Sequence, residues 1–223
     1  MITHPTYLVN EIFETIQGEA TYTGTPSIFL RLMGCPVGCH WCDTKHTWKM
    51  EKVQEVSVVE MKAKTFDNEL SSRMSNEDIS DSIKEFNAKH IVITGGEPCI
   101  YDLISLTTHL LNTGYSVQIE TSGTHKVLCH PDTFVTVSPK IDMAGGFKID
   151  TQALFVADEI KYPIGKQADI DKLKEQVLKN TICTNIWLQP ISQSEKATKL
   201  CIEQATINNW KISIQTHKFI GVR

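Results

Sequence analysis

Between Gly34 and Thr44 the chain reads Gly-Cys-Pro-Val-Gly-Cys-His-Trp-Cys-Asp-Thr, which puts Cys35, Cys39 and Cys42 in the spacing C-x3-C-x2-C. Three thiolates on one short loop can hold three corners of a cubic iron–sulfur cluster, whose usual set is four cysteines. A fourth local cysteine is absent, so one iron would remain open to an exogenous chelator. Two other uses of the thiols compete. Structural zinc takes four ligands, usually in two pairs; here the fourth would have to be His40, Asp43 or His46, and no second pair stands at zinc-finger spacing. A disulfide suits the chain less, because seven cysteines is an odd number and the N-terminus shows no export signal.

The spacing resembles that of the radical S-adenosylmethionine (SAM) enzymes. An open iron needs an amine and a carboxylate, which the methionine end of SAM offers. Other residues could serve such a site. Gly95 and Gly96 would let main chain approach a ligand closely, and Glu97 could accept from the ammonium. Trp41 either packs by an adenine or fills the loop core. Thr44 is an oxygen ligand for magnesium, which needs only one or two such groups, or a turn hydroxyl bonding its own backbone. Lys140 could meet the carboxylate or ribose of SAM or be a solvated loop lysine. His217 is either a substrate hydrogen-bonding group or a structural histidine. Arg31 interrupts an apolar strand three residues before the cysteine loop, where it either reaches solvent or binds an anion. Cys99, Cys129, Cys183 and Cys201 share no spacing and read as small buried hydrophobes.

The elements that position these groups follow from pattern. Residues 27–32 read as a strand, and Ser57 with Glu60 matches a capping box that opens a helix. Residues 66–75 look like a turn-rich connection. A helix from Ser75 to about Asn87 leads to a strand at 90–94. Asp102 caps a helix carrying Leu103, Leu106 and Leu110 on one face and ended by Gly114. Strands at 115–121, 133–137, 159–162, 185–190 and 211–215 follow, with helices near 151–157, 168–179 and 195–208. The pattern predicts an α/β fold, a partial TIM-like β/α barrel of six to seven mostly parallel strands, in one domain over 1–223. Chemistry in such folds gathers at the carboxyl ends of strands. The cysteine loop, Gly-Gly-Glu-Pro, Glu-Thr-Ser-Gly, Ser-Pro-Lys, Gln-Pro and Thr-His-Lys all fall there.

Composition agrees with a globular small-molecule enzyme. The 223 residues are 41% hydrophobic and 22% charged, with a formal net charge of −4 that argues against a nucleic-acid partner. No apolar run reaches the ~18 residues of a membrane span, and without an export signal a cytoplasmic location is expected.

Ile16-Gln-Gly-Glu19, the cysteine loop, Val92-Ile-Thr-Gly-Gly-Glu-Pro, Ile119-Glu-Thr-Ser-Gly, Val137-Ser-Pro-Lys, Leu188-Gln-Pro-Ile-Ser and Gln215-Thr-His-Lys218 together resemble the 7-carboxy-7-deazaguanine synthases, radical SAM enzymes of queuosine biosynthesis. The resemblance implies a 4Fe–4S cluster on Cys35, Cys39 and Cys42, with SAM on the fourth iron. It implies reductive cleavage to a 5′-deoxyadenosyl radical that takes hydrogen from C6 of 6-carboxy-5,6,7,8-tetrahydropterin. Ring contraction and loss of ammonia then give 7-carboxy-7-deazaguanine, the work of a carbon–nitrogen lyase. Mg2+ on Thr44 and the substrate carboxylate would orient the rearrangement.

By the same likeness, Ile16, Gln17, Gly18, Glu19, Arg31, Thr94, His217 and the terminal Arg223 would contact the pterin. Trp41, Cys42, Asp43, Gly95, Gly96, Glu97, Ser138, Pro139, Lys140, Gln189, Pro190, Ile191 and Ser192 would line the SAM site. A homodimer and a flavodoxin-type electron donor are also implied. Ala20 departs from the pattern, standing where the family more often has glycine. A radical SAM activase acting on a partner protein and a non-catalytic zinc module remain as alternatives.

Overall fold

The computed structural model describes residues 5–222. Ten strands form one open sheet in the order β10-β9-β8-β7-β6-β5-β2-β1-β4-β3. In chain order these are β1 (Tyr7–Ile16), β2 (Pro26–Leu32), β3 (Gln54–Glu55), β4 (Leu70–Met74), β5 (His90–Gly95), β6 (Ser116–Thr121), β7 (Phe134–Val137), β8 (Glu159–Ile164), β9 (Ile186–Pro190) and β10 (Lys211–Ile212). Helices α1 (Val58–Ala63), α2 (Asn76–Ile83), α3 (Ile104–Asn112), α4 (Thr151–Phe155), α5 (Gln167–Lys172), α6 (Glu195–Asn208) and α7 (Thr216–Ile220) complete the chain.

The seven strands from β2 through β5 to β10 are mutually parallel, as the alternation of elements predicts. The sheet is larger than expected, because β1, β4 and β3 extend it past β2, with β1 antiparallel to both neighbours. β4 falls inside the segment read as a connection. Its sequence, Leu-Ser-Ser-Arg-Met, has small polar residues at buried positions, so no apolar signal marks it. The capping boxes at Ser57 and Ser75 are present. Asp102 bonds the Ile104 amide at 2.9 Å from one residue outside the N-cap, which is Leu103. The helix read over 168–179 is α5 followed by a π turn at Leu173–Val177 and a 3-10 turn at Leu178–Asn180. The last strand stops at Ile212, not Gln215: Ser213 N makes a final bond to Leu188 O at 3.0 Å, and the side chains of Ser213 and Gln215 reach Gln189 and Glu19.

Period-two alternation sorts the parallel strands into two faces. Ile91 and Ile93, Val117 and Ile119, Val135 and Val137, Ile160 and Tyr162, Ile186 and Leu188 are buried in one apolar core with α3 residues Leu106 and Leu110. Apart from Val92 and Trp187, the opposite face is polar and still buried at His90, Gln118, Thr136, Glu159 and Lys161. They face the inside of the half-barrel, and their hydrogen-bonding groups must be satisfied there. Segment 17–25 supplies partners. Ala20 N donates to Ser213 Oγ at 3.0 Å, Thr21 donates from main chain and hydroxyl to Glu159, and Tyr22 stacks on His90 with ring centroids 4.0 Å apart. This segment plugs the interior that an eight-stranded barrel would close with further strands. Ala20 has φ +52°, the left-handed region that glycine adopts freely, which accounts for glycine at this turn in the family pattern.

At the other end of the half-barrel β5 approaches β2 closely. Gly96 N donates to Leu32 O at 3.0 Å and Glu97 N to Gly34 O at 2.8 Å. A Cβ on Gly95, whose φ is +141°, would lie 2.1 Å from Leu32 O, and one on Gly96 would lie 2.2 Å from Gly34 O. Gly95→Ala is therefore expected to destabilise the fold by about 3 kcal/mol through overpacking against main chain. In thermal unfolding that is a fall in Tm of roughly 6–12 °C for a chain of this size.

Candidate active site

The cysteine loop leaves β2 at Met33 and is pinned at both ends. Gly34 N donates to Thr47 O at 2.7 Å, Cys35 N to Trp48 O at 3.0 Å, and Tyr101 Oη to Met33 O at 2.8 Å. Cys42 N closes back on Cys39 O at 3.1 Å, and Trp48 Nε1 donates to Cys42 Sγ at 3.4 Å. All seven cysteines carry free thiols. Cys35, Cys39 and Cys42 line one cavity of about 340 Å3. Burial pushes the Cys35 thiol up to about 11 and raises Cys39 as well. Thiols as desolvated as those of Cys35 and Cys39 ionise against a positive partner, the environment a metal cluster supplies. The main chain across from them is Gly95–Gly96, where a side chain at Gly96 would come within 2.9 Å of Cys35 Cβ. The donor set and the bare backbone facing it fit a three-thiolate cluster with one open corner.

The residues read from the sequence as SAM-binding gather around this cavity. Trp41, Asp43, Gly95, Gly96, Glu97, Ser138, Lys140, Gln189, Pro190, Ile191 and Ser192 line it. Pro139 does not; it borders a neighbouring cavity with Trp41 and Ile191. Glu97 is 1% exposed, and four donors engage its carboxylate: the amides of Cys99 and Ser122 at 3.0 and 2.8 Å, and the hydroxyls of Thr121 and Ser122. It ties the loop after β5 to the loop after β6. Lys140 is folded onto Ser138, donating to its carbonyl at 2.9 Å and to its hydroxyl. Burial lowers its pKa, while the Cys39 sulfur opposes that shift. Of the remaining cysteines, Cys99 and Cys201 are buried as read, while Cys129 and Cys183 are half-buried.

A second cavity of about 390 Å3 adjoins the first and is lined by Ile16, Gln17, Gly18, Glu19, Arg31, Thr94 and His217. Gly18 is where His217 docks, since a Cβ there would fall 2.2 Å from His217 Nδ1, and Thr216 N donates to Gly18 O at 3.0 Å. Burial lowers the His217 pKa against the pull of Glu19, so the ring is neutral near pH 7. Arg223 lies outside the described residues.

Several lining residues were not singled out as site residues from sequence. Cross-strand pairing of β1 and β2 sets Glu11 opposite Arg31 and Phe13 opposite Phe29. Arg31 Nε bonds Glu11 Oε2 at 2.8 Å, and the two phenyl rings stack at 5.5 Å. Glu11, His46 and Asp67 bring potential ligand atoms within 4.8 Å of one another beside that ion pair. The signal was the alternation at 11, 13, 29 and 31, polar then aromatic on one strand face. Glu120 and Lys161 were also missed as site residues, although both stand among apolar strand residues.

Those two residues belong to a buried ion triad on the wall shared by both cavities. Lys161 Nζ lies 2.6 Å from Glu19 Oε2 and 2.7 Å from Glu120 Oε2. Glu19 also accepts from Gln215 at 2.8 Å and Gln189 at 3.3 Å. Burial pushes the Glu19 carboxyl up, but the Lys161 charge and hydrogen bond and the Gln215 donor outweigh it and hold it at about 2. Lys161 is itself raised, its two carboxylates overcoming burial.

A half-barrel with a three-thiol loop over its carboxyl end defines a radical SAM enzyme, and the family model described as the Radical SAM superfamily matches residues 31–134. The 7-carboxy-7-deazaguanine synthase of Escherichia coli (strain K12) is 51% identical over 97% of this chain and 99% of its own length. Those of Buchnera aphidicola and Rickettsia prowazekii are 46% and 32% identical, over 97% and 96% of this chain and 99% and 88% of theirs. The crystal structure of QueE from Escherichia coli superposes with a TM-score of 0.89 at 50% identity, covering 94% of each chain. The chain belongs to the 7-carboxy-7-deazaguanine synthase family.

Removing Lys161 would leave two buried carboxylates without a counter-charge. Lys161→Met is expected to cost about 3–5 kcal/mol at neutral pH. With both carboxyl pKa values then raised above their unfolded values, the deficit is largest at high pH and shrinks as pH falls and the groups protonate. Thermal unfolding of parent and variant between pH 8 and pH 5 reads this as a gap that narrows with acidification.

Proposed function

We propose that the protein converts 6-carboxy-5,6,7,8-tetrahydropterin to 7-carboxy-7-deazaguanine and ammonia as a step of queuosine biosynthesis. The observation that carries this reading is the shared wall: a three-thiol cradle with facing bare backbone opens directly onto a second cavity lined by Arg31, Thr44, Thr94 and Glu120. Cys35, Cys39 and Cys42 would hold a 4Fe–4S cluster, and the first cavity would hold SAM. The bound pair supplies a carbon-centred radical able to take hydrogen from an unactivated carbon.

The chain's own residues bind and orient. Gly95 and Gly96 present main chain to the methionine end of SAM, and Glu97 keeps that segment in place through its four hydrogen bonds. Lys140, with Ser138 and Pro139, borders the nucleoside side together with Gln189, Pro190, Ile191 and Ser192; Trp41 and Asp43 close it from the cysteine loop. In the second cavity Arg31 uses Nε on Glu11, leaving its terminal nitrogens for a bidentate grip on the substrate carboxylate. Ile16, Gln17, Gly18, Glu19, Thr94 and His217 edge the pterin, with Arg223 assigned to it from the resemblance. Thr44, with its hydroxyl 3.5 Å from Cys42 Sγ, stands where both cavities meet and would hold Mg2+ together with that carboxylate.

The unbroken ten-stranded sheet supports one domain over 1–223. Among the described residues no helix is long and apolar enough to cross a membrane. A cytoplasmic location is supported by the need to keep three ligand thiols reduced. A homodimer and a flavodoxin-type donor belong to this reading through the family.

Anaerobic incubation with the carboxytetrahydropterin, SAM, Mg2+ and a reductant should yield the deazaguanine by mass detection; SAM cleavage without it would refute the substrate. Cys39→Ala is expected to lose both the brown cluster absorbance and SAM cleavage. Thr44→Ala should keep the cluster and lose the response to Mg2+, and an unchanged Mg2+ titration would remove Thr44 from the metal site.

A further inference from the structure

The two carboxylates on Lys161 are not equivalent. Glu19 collects donors from Lys161, Gln215 and Gln189. Glu120 has both oxygens on Lys161, at 2.7 and 2.8 Å, and otherwise a long contact of 3.4 Å from Gln118 Nε2. Of two acids sharing one ammonium, the one with fewer donors takes the proton first. Glu120 also lines both cavities, so a substrate in the second cavity lies against it.

The reaction read above contains a step that needs such a group. Once the ring has contracted, an H–C–C–N unit must become a ring double bond plus ammonia. We propose that Glu120 is the catalytic residue of this ammonia loss, taking the carbon-bound proton and handing it to the departing nitrogen, and that Lys161 positions it. The C–H bonding pair forms the new double bond and the C–N pair leaves with nitrogen. The proton moves from carbon to nitrogen, and no oxidant or reductant is consumed. The inference rests on the proposed function and adds a residue and a step to it.

The surroundings set the pH at which Glu120 is ready. Burial raises its carboxyl to about 7, the Lys161 charge opposing and the charges of Glu19 and Glu159 adding to the rise. Lys140 from the loop after β7 is coupled to it through its charge. Arg31 from β2, Asp43 from the cysteine loop and Lys218 from α7 share the cavity wall, and His217 faces Glu19. A group poised near the working pH is an effective proton carrier. It acts as base only when ionised, so the ammonia-loss step slows as pH falls through its pKa and is full above it.

The test compares parent, Glu120→Gln and Glu120→Asp holoenzymes from pH 5.5 to 8.5, following SAM-derived products, deazaguanine and the ring-contracted amine, an isomer of the substrate. Glu120→Gln should form deazaguanine roughly 10²-fold more slowly, accumulate the amine and lose the acidic limb of the pH profile. Glu120→Asp should recover product with that limb displaced. Deazaguanine formation by Glu120→Gln at the parent rate, or with the parent's limb, overturns the proposal. So does loss of all products in the Asp and Gln variants alike.

Two readouts on the cofactor-free full chain guard against a merely structural effect. Binding of 6-carboxypterin should survive in Glu120→Gln; its loss assigns Glu120 to binding and overturns the proposal. Carboxyl-carbon NMR should show one glutamate titrating near neutral pH that vanishes in the variant, and its absence in the parent overturns the proposal too. A parent that makes no deazaguanine refutes the function itself, a separate outcome.

Discussion

The close approach of the β5 end to the β2 end is the constraint on which the site depends. Gly95 and Gly96 lie against Leu32 and Gly34 so tightly that neither position has room for a Cβ, and two main-chain hydrogen bonds hold the contact. Parallel pairing of β2 with β5 through six residues delivers the two loops in register. The cysteine loop thereby faces backbone instead of side chains. Glu97, buried and fully bonded, carries the same clamp on to β6, so the first, second and third parallel strands present their carboxyl ends as one rim. Charge-assisted bonds of this kind are stronger than neutral ones and fix geometry as well as energy.

Inside the half-barrel the problem is different: a polar interior must be kept dry and satisfied. The plug segment 17–25 meets it by lending backbone and hydroxyl donors to Glu159 and Ser213 and the Glu19 carboxylate to Lys161. The triad that results is costly to desolvate and would not be retained for stability alone. Its position between the two cavities gives it a use in the proposed reaction, since it would set a fixed pattern of charge between the proposed substrate and SAM sites. Arg31, bonded to Glu11, adds a positive charge to the lining of the same two cavities.

Much of this was legible in the sequence. C-x3-C-x2-C, Gly-Gly-Glu-Pro and Ser-Pro-Lys are local, and their chemistry follows from residue type; their convergence follows from lying after successive parallel strands. The capping boxes at Ser57 and Ser75 gave two helix starts correctly. What was not legible depends on tertiary pairing. β1 reads as mixed residues because one of its faces carries Glu11 and Phe13 into a cavity, and β4 because its buried positions are serines. Glu120 and Lys161 sit in strands whose apolar neighbours dominate the pattern, and only the sheet's curvature shows that the minority face is also interior. The meeting of Glu19 and Glu120 on Lys161, each pair separated in the chain by tens of residues or more, has no local signature.

The account stands on three thiolates leaving one iron for SAM. Mössbauer spectra of the anaerobically reconstituted protein, loaded with enriched iron and recorded with and without SAM, address this directly. The account predicts about four irons per chain, of which roughly one in four changes its signal when SAM is added. A chain that takes up no iron, or a cluster whose irons all ignore SAM, would contradict it.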